Sequence, residues 1–529
     1  FIVEALDWLV IGVFFLALIG IIVWVVRQKQ NDSADYFLGG RDATWLAIGA
    51  SIFASNIGSE HLIGLAGAGA SSGMAMAHWE IQGWMILILG WVFVPFYTRS
   101  MVYTMPEFLE RRYNPQSRTI LSVISLVSYV LTKVAVTVYA GGLVFQQVFG
   151  IKELWGIDFF WIAAIGLVVL TALYTIFGGM KSVLYTSVLQ TPILLLGSLI
   201  ILVLGFKELG GWDEMMRVCG AVTVNDYGDT MTNLIRSNDD ANFPWLGALI
   251  GSAIIGFWYW CTDQFIVQRV LSGKNEMEAR RGTIFGAYLK LLPVFLFLIP
   301  GMIAFALHQK YIGAGGEGFL PMLANGTANA DAAFPTLVAK LLPAGVKGLV
   351  VCGILAALMS SLASLFNSSA MLFTIDFYKR FRPETPEKKL VGIGQVATVV
   401  IVILGILWIP IMRSVGDVLY TYLQDVQSVL APGIAAAFLL GICWKRTSAQ
   451  GGMWGLIAGM VIGLTRLGAK VYYSNAGEVA DSTFKYLFYD MNWLFFCGWM
   501  FLFCIIVVIV VSLATKAPTA EKIQGLVFG

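Results

Sequence analysis

Runs of about twenty predominantly apolar residues recur along nearly the whole chain, and each is long enough to cross the hydrocarbon core of a bilayer. The composition agrees, because 58% of the residues are hydrophobic and 12% are charged, against about 25% charged in soluble domains. Mean hydropathy is +0.78. The sequence therefore predicts an all-α, multi-pass integral membrane protein with thirteen transmembrane helices, at 6–26, 43–69, 73–98, 119–149, 154–178, 183–209, 244–271, 282–307, 346–378, 390–412, 415–444, 449–471 and 492–514.

Lysine and arginine side chains accumulate in alternate connections between these spans, including those with Arg111, Lys388 and Lys389. The positive-inside rule then predicts that the N-terminus lies outside and the C-terminus inside, in agreement with an odd number of spans. The two longest outer connections, 210–243 and 308–345, are polar and are expected to form exposed caps.

Several functional classes find little support in the chain. Five of the six cysteines lie in apolar runs, and no spacing typical of a disulfide framework or a metal site occurs. A nucleophile-base set and an HExxH motif are also missing from the sequence, which argues against an enzyme. A channel and a sugar sensor without transport stay open as alternatives, although neither repeated selectivity elements nor a signalling domain is found.

One of the apolar spans carries polar residues through its middle. The stretch from Ser51 to Ser72 reads SIFASNIGSEHLIGLAGAGASS, with Asn56, Glu60 and His61 near its centre. Such residues are tolerated at this depth where they line a cavity, and the glycines beside them favour a helix that unwinds near mid-membrane. Freed backbone carbonyls could then bind a cation, so the sequence predicts a binding site here.

A second interrupted span lies about 200 residues later, where WYWCTDQ follows several small residues. Transporters built from inverted repeats carry a discontinuous helix at the start of each half. The expected divisions are an additional N-terminal helix with a cytoplasmic loop in 1–42, a first repeat in 43–209, an outer loop in 210–243, a second repeat in 244–444, and two additional helices with a tail in 445–529.

Glu80 and Lys290 lie on different spans and form the most informative polar pair. With Asn56, His61 and Gln424 they offer donors and acceptors for a polyhydroxylated ligand, and neighbouring aromatic side chains could cover the faces of a sugar ring. The alternative is that the carboxylate and the ammonium neutralise each other and brace two helices. His61 taken alone is more typical of a hydrogen bond between helices, but its position beside the unwound segment favours a ligand contact.

The span 346–378 carries adjacent hydroxyls in the segment AALMSSLAS. Ser360 and Ser361 could supply oxygen ligands to a hard monovalent cation beside an unwound helix. Small residues with serine are also ordinary contacts between transmembrane helices. The segment points to an ion site only in combination with the interrupted first helix.

These segments together resemble those of the sodium/solute symporter family, in its sodium/glucose cotransporter branch. The likeness rests on ASNIGSEHLIGLAGAGASSG, YTMPEFLERR, WYWCTDQFIVQRVLSGKN, GAYLKLLPVFLFLIPGM, LMSSLASLFNSSAMLFTIDFY and LAPGIAAAFLLGICWKR, and it extends over about residues 30–470. The resemblance implies a five-plus-five inverted-repeat (LeuT-like) core and sodium-coupled symport of a hexose such as glucose, galactose or mannose by alternating access.

The resemblance also implies which residues bind and gate. Sodium (Na⁺, the coupling ion) would be bound by carbonyls of Ala54, Ile57 and Ala357 and by hydroxyls of Ser360 and Ser361. The histidine at position 61 resembles the animal glucose-transporting members of the family in residue type. Sugar contacts would come from Asn56, His61, Glu80, Tyr259, Trp260, Lys290 and Gln424, and the gates from Leu65, Trp79, Tyr259 and Tyr420.

Three positions depart from the family pattern. Members that couple two sodium ions resemble one another in an Asp that is Ser187 here, and in a hydroxyl residue that is Ala363 here. One sodium ion per sugar is therefore expected. Gly256 replaces a side chain able to reach the sugar, which leaves the preferred hexose open.

The remaining expectations concern partners and location. The cysteine-bearing loops of the animal relatives are absent, which suits a bacterial inner membrane. A single chain is expected to suffice for transport, with the sugar, sodium and the lipid bilayer as partners and no nucleic acid. Within the transporter class, a polyol, sialic acid, a carboxylate or an amino acid stays the alternative solute.

Overall fold

The computed structural model describes residues 3–28, 31–58, 60–323, 325–415 and 417–528. Eight helices of this described part are long and apolar enough to cross a membrane, and one further pair, bent by 78°, qualifies if it counts as one span. Each of the thirteen predicted spans corresponds to helical residues, so the all-α prediction is confirmed. The number of helices that are long and apolar enough is smaller than thirteen for two reasons. Some predicted spans are interrupted, and two others form the single helix Phe159–Leu209, which is kinked at Gly179 (φ 59°, ψ −150°).

The N-terminal half is built from α-helices of 4 to 51 residues, joined by short π-helical or 3₁₀ turns. The π turns are Glu60–Leu65, Leu89–Phe93 and Tyr129–Val134, and the 3₁₀ turns are Gly39–Arg41, Met74–Met76 and Gln82–Trp84. The α-helices are Ala5–Val26, Ser33–Phe37, Trp45–Asn56, Ala66–Ser71, Ala77–Ile81, Met85–Ile88, Val94–Ser100, Met105–Arg112, Pro115–Ser128, Ala135–Phe149 and Phe159–Leu209.

The C-terminal half has the same character. Its π turns are Trp258–Thr262, Val294–Leu298, Leu372–Tyr378 and Tyr486–Asp490, with a 3₁₀ turn at Ala330–Ala332. Its α-helices are Trp212–Gly220, Trp245–Phe257, Gln264–Leu271, Glu276–Leu289, Ile299–Gly313, Ala333–Leu341, Val346–Met371, Lys379–Phe381, Glu387–Val415, Asp417–Cys443, Ala449–Asn475, Thr483–Lys485, Trp493–Ala514 and Ala520–Ile523.

A two-residue β-hairpin separates two of the helices. Strand β1 (Glu153–Leu154) pairs with strand β2 (Ile157–Asp158) in antiparallel register. Trp155 and Gly156 have φ angles of 55° and 75°, and two successive left-handed residues are what a tight hairpin turn requires. The sequence analysis did not predict this hairpin.

Two helix interruptions position the candidate functional residues. The helix Trp45–Asn56 ends because Ile57 is extended (φ −77°, ψ 112°), and the π turn Glu60–Leu65 then leads into Ala66–Ser71. We call these residues, 45–71, the broken helix. The second interruption lies at Asp263 (φ −81°, ψ 131°), just after Trp258–Thr262. A discontinuous first helix in each half was predicted and is confirmed, whereas the boundaries of the two repeats stay a prediction.

The helix Val346–Met371, which we call the serine helix, is buried along nearly its whole length. It packs against Phe159–Leu209 and against the first half of the broken helix. Ser361 and Ser364 on this helix contact Ser55 and Ile57 of the broken helix. This packing brings the serine hydroxyls to the interruption at Ile57.

Candidate functional site

The interruption at Ile57 frees backbone carbonyls that a continuous helix would use. The Ser361 hydroxyl donates toward two of them, the carbonyl oxygens of Ser55 at 2.9 Å and of Ile57 at 3.0 Å. A Cβ added to Gly58 would lie 2.8 Å from the Ser361 hydroxyl, so the contact needs glycine at that position. The broken helix and the serine helix are therefore joined through oxygen atoms that a cation could share.

A small cavity of about 40 Å³ adjoins this contact. It is lined by residues from several helices, among them Asn56, Gly58, Lys133, Tyr259 and Ser361. A cavity of this size has room for a water molecule or an ion of similar size. Neutral carbonyl and hydroxyl oxygens are ligands that hard cations accept, so the chemistry beside the cavity fits sodium.

The five predicted sodium ligands lie on the two helices that meet here. Ile57 and Ser361 are in direct contact, while Ala54 and Ala357 are fully buried on the broken helix and the serine helix. Ser360 differs from expectation, because its hydroxyl donates to the side-chain oxygen of Gln190 on the helix Phe159–Leu209. Ser360 thus connects a third helix to the site.

Two residues near the interruption were not singled out as site residues from the sequence. The Ser364 hydroxyl donates to the Ser55 hydroxyl at 2.6 Å, and Arg269 Nε lies 3.1 Å from the same oxygen and 3.0 Å from the Ser51 hydroxyl. Both side chains are fully buried. They hold the backbone around Ser55, and the position of Ser364 one turn after Ser360 was the available signal.

The second group of predicted residues forms a compact polar cluster. Lys290 Nζ lies 2.7 Å from Glu80 Oε2, 2.5 Å from Asn56 Oδ1 and 3.0 Å from His61 Nε2. His61 Nε2 is also 3.1 Å from Glu80 Oε1. Glu80, Lys290 and His61 are each less than 5% exposed, so three ionisable groups meet almost entirely out of water.

Aromatic rings flank this polar cluster. Asn56 donates its amide to the Tyr259 hydroxyl at 3.0 Å, and the Tyr259 and Trp260 ring centroids are 4.9 Å apart. The Lys290 ammonium lies 5.5 Å from the centre of the Trp260 ring. The buried Trp260 Nε1 has no hydrogen-bond partner within the described residues, so a donor is available to a hydroxylated ligand.

The structure therefore brings together six of the seven predicted sugar contacts. The gate candidate Leu65 is buried in the π turn of the broken helix, and Tyr259 borders both the polar cluster and the small cavity. The side chains of Trp79, Tyr420 and Gln424 lie outside the described part of the structure.

The three departures from the family pattern have local explanations. The Ser187 hydroxyl donates to the Val183 carbonyl at 2.7 Å, and Ala363 is fully buried on the serine helix. A Cβ at Gly256 would lie 3.0 Å from Met85 and 3.2 Å from Gln82. Gln82 thus occupies the space that a longer side chain at position 256 would need.

A further buried ion pair lies at the second interruption. Lys133 Nζ is 3.0 Å from Asp263 Oδ2, and the Tyr129 hydroxyl donates to the same carboxylate. The Lys133 ammonium is also surrounded by rings, with the Tyr259 centroid at 5.1 Å. Lys133 therefore braces the second interruption.

An interrupted membrane helix, oxygen ligands opposed across it and a polar cluster beside it define a cation-coupled solute transporter rather than an enzyme. The chain belongs to the Sodium:solute symporter family, whose model matches residues 36–459. It is thus a sodium-coupled solute symporter, and sodium is its coupling ion.

Named relatives match almost the whole chain. The chain is 36% identical over 537 residues to the sodium/myo-inositol cotransporter 2 of Homo sapiens, covering 99% of this chain and 78% of the relative. It is also 36% identical over 539 residues to the sodium/glucose cotransporter 4 of Danio rerio, covering 99% and 80%.

Solved structures share the fold. A Na⁺-coupled sialic acid symporter in a substrate-bound, outward-open state has a TM-score of 0.78 at 21% identity, covering 98% of this chain and 99% of the other. Mhp1, a nucleobase-cation-symport-1 family transporter, has a TM-score of 0.52 at 13% identity, covering 94% and 98%. The LeuT-like fold predicted from the sequence is confirmed.

Proposed function

We propose that the chain imports a hexose together with sodium by alternating access, with one sodium ion per sugar. The observation that carries the proposal is the convergence of Asn56, His61 and Glu80 on the Lys290 ammonium, each within hydrogen-bond distance of it, beside the interruption at Ile57. A sugar bound there would exchange these contacts for contacts to its own hydroxyl groups. Tyr259 and Trp260 would cover the apolar faces of the ring.

A neutral, polyhydroxylated solute suits this cluster better than an ion does. The Lys290 charge is balanced by Glu80, so the cluster offers both donors and acceptors with little net charge. Relatives named for glucose and for myo-inositol support the same solute class. Myo-inositol is the second candidate, because the named relatives include cotransporters for it and it presents a comparable ring of hydroxyls.

Asn56 would couple the two binding events. It is the last residue of the first half of the broken helix, next to the Ile57 carbonyl, and its side chain contacts both Lys290 and Tyr259. Sodium bound at Ala54, Ile57, Ala357, Ser360 and Ser361 would hold this residue in position and so lower the ordering cost of sugar binding. Such a shared cost makes the coupling reciprocal, so sugar also raises sodium affinity.

The remaining parts of the proposal follow from the charge distribution and the family. We propose a bacterial inner membrane location, with the N-terminus outside and the C-terminus inside. Repeats at 43–209 and 244–444 would move against each other around the site, and a single chain would suffice. Leu65, Trp79 and Tyr420 would close the outer side and Tyr259 the inner side.

A counterflow experiment in proteoliposomes tests the solute class. Vesicles preloaded with unlabelled glucose, galactose, mannose or myo-inositol are expected to accumulate the matching labelled solute in sodium and not in choline. Lactate and alanine represent the alternative solute classes, a carboxylate and an amino acid. Accumulation of either of these without accumulation of any polyhydroxylated ring would contradict the proposal.

The coupling ratio is expected to be one, because Ser187 and Ala363 remove two oxygen ligands from the additional site that the family resemblance implies. Labelled sodium and labelled sugar fluxes measured in the same vesicles should stay at a ratio of about one across membrane potentials. The sodium dependence of uptake should show a Hill coefficient near one. A flux ratio of two would refute this part of the proposal.

A further inference from the structure

A deep groove opens on the membrane-facing surface, away from the site described above. It has a volume of about 760 Å³ and lies between the helix Pro115–Ser128 with its π turn, the π turn Leu372–Tyr378 and the helix Glu387–Val415. Its walls are apolar, with Val396 64% exposed and Leu404 46% exposed. The lining residues run from Lys389 to Leu404 along one helix, a length of about 22 Å at 1.5 Å per residue.

The only lining side chains with polar atoms, Tyr378 and Lys389, lie at one end of the groove. Lys389 is in the first turn of the helix Glu387–Val415, where this span meets the membrane surface, and it is exposed. Its backbone N–H donates to the Pro386 carbonyl at 3.0 Å, whereas within the described residues its ammonium group forms no ion pair and no hydrogen bond. A cationic group therefore stands at the mouth of an otherwise apolar groove.

The segment around this mouth is cationic. Residues 379–389 read KRFRPETPEKK, with five basic and two acidic side chains. One of the acids, Glu387, accepts hydrogen bonds from Ser33 and lies 3.8 Å from Lys379, so it is engaged elsewhere. The charge at the mouth thus suits an anionic group at the depth of the lipid headgroups.

The groove is recessed at Gly392, one turn beyond Lys389. A Cβ added there would meet no atom within 4 Å, and Gly392 is itself a lining residue. The missing side chain leaves a notch between the cationic mouth and the apolar walls. An acyl chain could pass through this notch with its headgroup beside Lys389.

We propose that this groove is a binding site for an anionic glycerophospholipid. One acyl chain lies along the walls formed by Phe373, Val396 and Leu404, and the phosphate pairs with Lys389. Bulk lipid would cover an apolar face without regard to headgroup charge. A site with a cation at its mouth and a recess behind it distinguishes phosphatidylglycerol from phosphatidylcholine.

Native mass spectrometry of the purified full chain tests the site. The protein is mixed with equal amounts of phosphatidylglycerol and phosphatidylcholine that carry identical acyl chains. Wild-type protein is expected to retain phosphatidylglycerol preferentially, and Lys389→Gln should lower that preference about fivefold, in line with one basic side chain near a membrane surface. Gly392→Leu should lower retention of both lipids, because the added side chain fills the recess.

Lys388→Gln is the matched control, because Lys388 is the adjacent exposed lysine and does not line the groove. It should behave like wild type, and unfolding temperatures of all variants confirm that they fold. An equal loss of preference in Lys388→Gln and Lys389→Gln would assign the effect to diffuse surface charge and overturn the site. If the wild-type protein is a dimer and Gly392→Leu dissociates it, the groove is an interface with a second copy of the chain. That result would also overturn the lipid site. If Gly392→Leu does not fold, the lipid preference of Lys389→Gln compared with that of Lys388→Gln tests the site by itself.

Discussion

Replacing Ser361 by alanine is expected to raise the sodium concentration for half-maximal uptake by about 10- to 100-fold. The Ser361 hydroxyl lies between the freed carbonyls of Ser55 and Ile57, where the proposed sodium ion would bind. A hydrogen-bonding group that interacts with a charge contributes about 1.5–3 kcal/mol to the free energy of the interaction. A change of about 1.4 kcal/mol in binding free energy corresponds to a tenfold change in affinity. Sodium-dependent uptake over a wide sodium range measures the shift.

Ser369→Ala is the matched control for this change. Ser369 is a buried serine on the same helix, and its hydroxyl has no hydrogen-bond partner within the described residues. Its removal should leave the sodium requirement unchanged. If Ser361→Ala and Ser369→Ala gave the same sodium dependence as wild type, the ion would have to bind elsewhere.

Replacing Glu80 by glutamine is expected to reduce sugar uptake by at least about 100-fold and to destabilise the protein. The change leaves the Lys290 ammonium buried without its carboxylate, which costs about 3–5 kcal/mol for a buried pair. Thermal unfolding and counterflow on the same preparation separate the two effects. The double variant Glu80→Gln with Lys290→Gln removes both charges and should recover most of the lost stability.

The double variant distinguishes the two roles that the sequence left open for this pair. If Glu80 and Lys290 bind sugar, stability recovers while counterflow stays low. If they only brace their helices, counterflow recovers together with stability. The buried pair of Arg118 and Asp376, with 2.8 Å between charged atoms, provides a control, because Asp376→Asn should lower stability without changing sugar affinity.

The sequence predicted the interruption of the first core helix to within a few residues. Polar and glycine residues inside an apolar span carry a strong physical signal, because unpaired backbone groups in the membrane are costly unless they line a cavity. The predicted meeting of Asn56, His61, Glu80 and Lys290 came from the same argument together with the family resemblance. These residues lie on four separate helical segments, so spacing along the chain alone could not have established their contacts.

Other contacts could not be read from the chain because they depend on which faces of distant helices meet. Ser360 and Gln190 are 170 positions apart, and Lys133 and Asp263 are 130 positions apart. Each partner alone is compatible with several neighbours. The pairing of Arg269 with the hydroxyls of Ser51 and Ser55 was missed for the same reason, since an arginine near the end of a span normally reaches toward water.

The hydroxyl that bridges the interruption has a consequence for the transport cycle. Because Ser361 itself satisfies the carbonyls of Ser55 and Ile57, the unloaded carrier can reorient without leaving those oxygens bare in a dry interior. At the proposed site, an arriving ion would take over these carbonyls while the Ser361 oxygen turned toward it, so the broken hydrogen bonds would offset part of the binding energy. This offset would lower the sodium affinity and so favour release of the ion into a compartment where sodium is scarce.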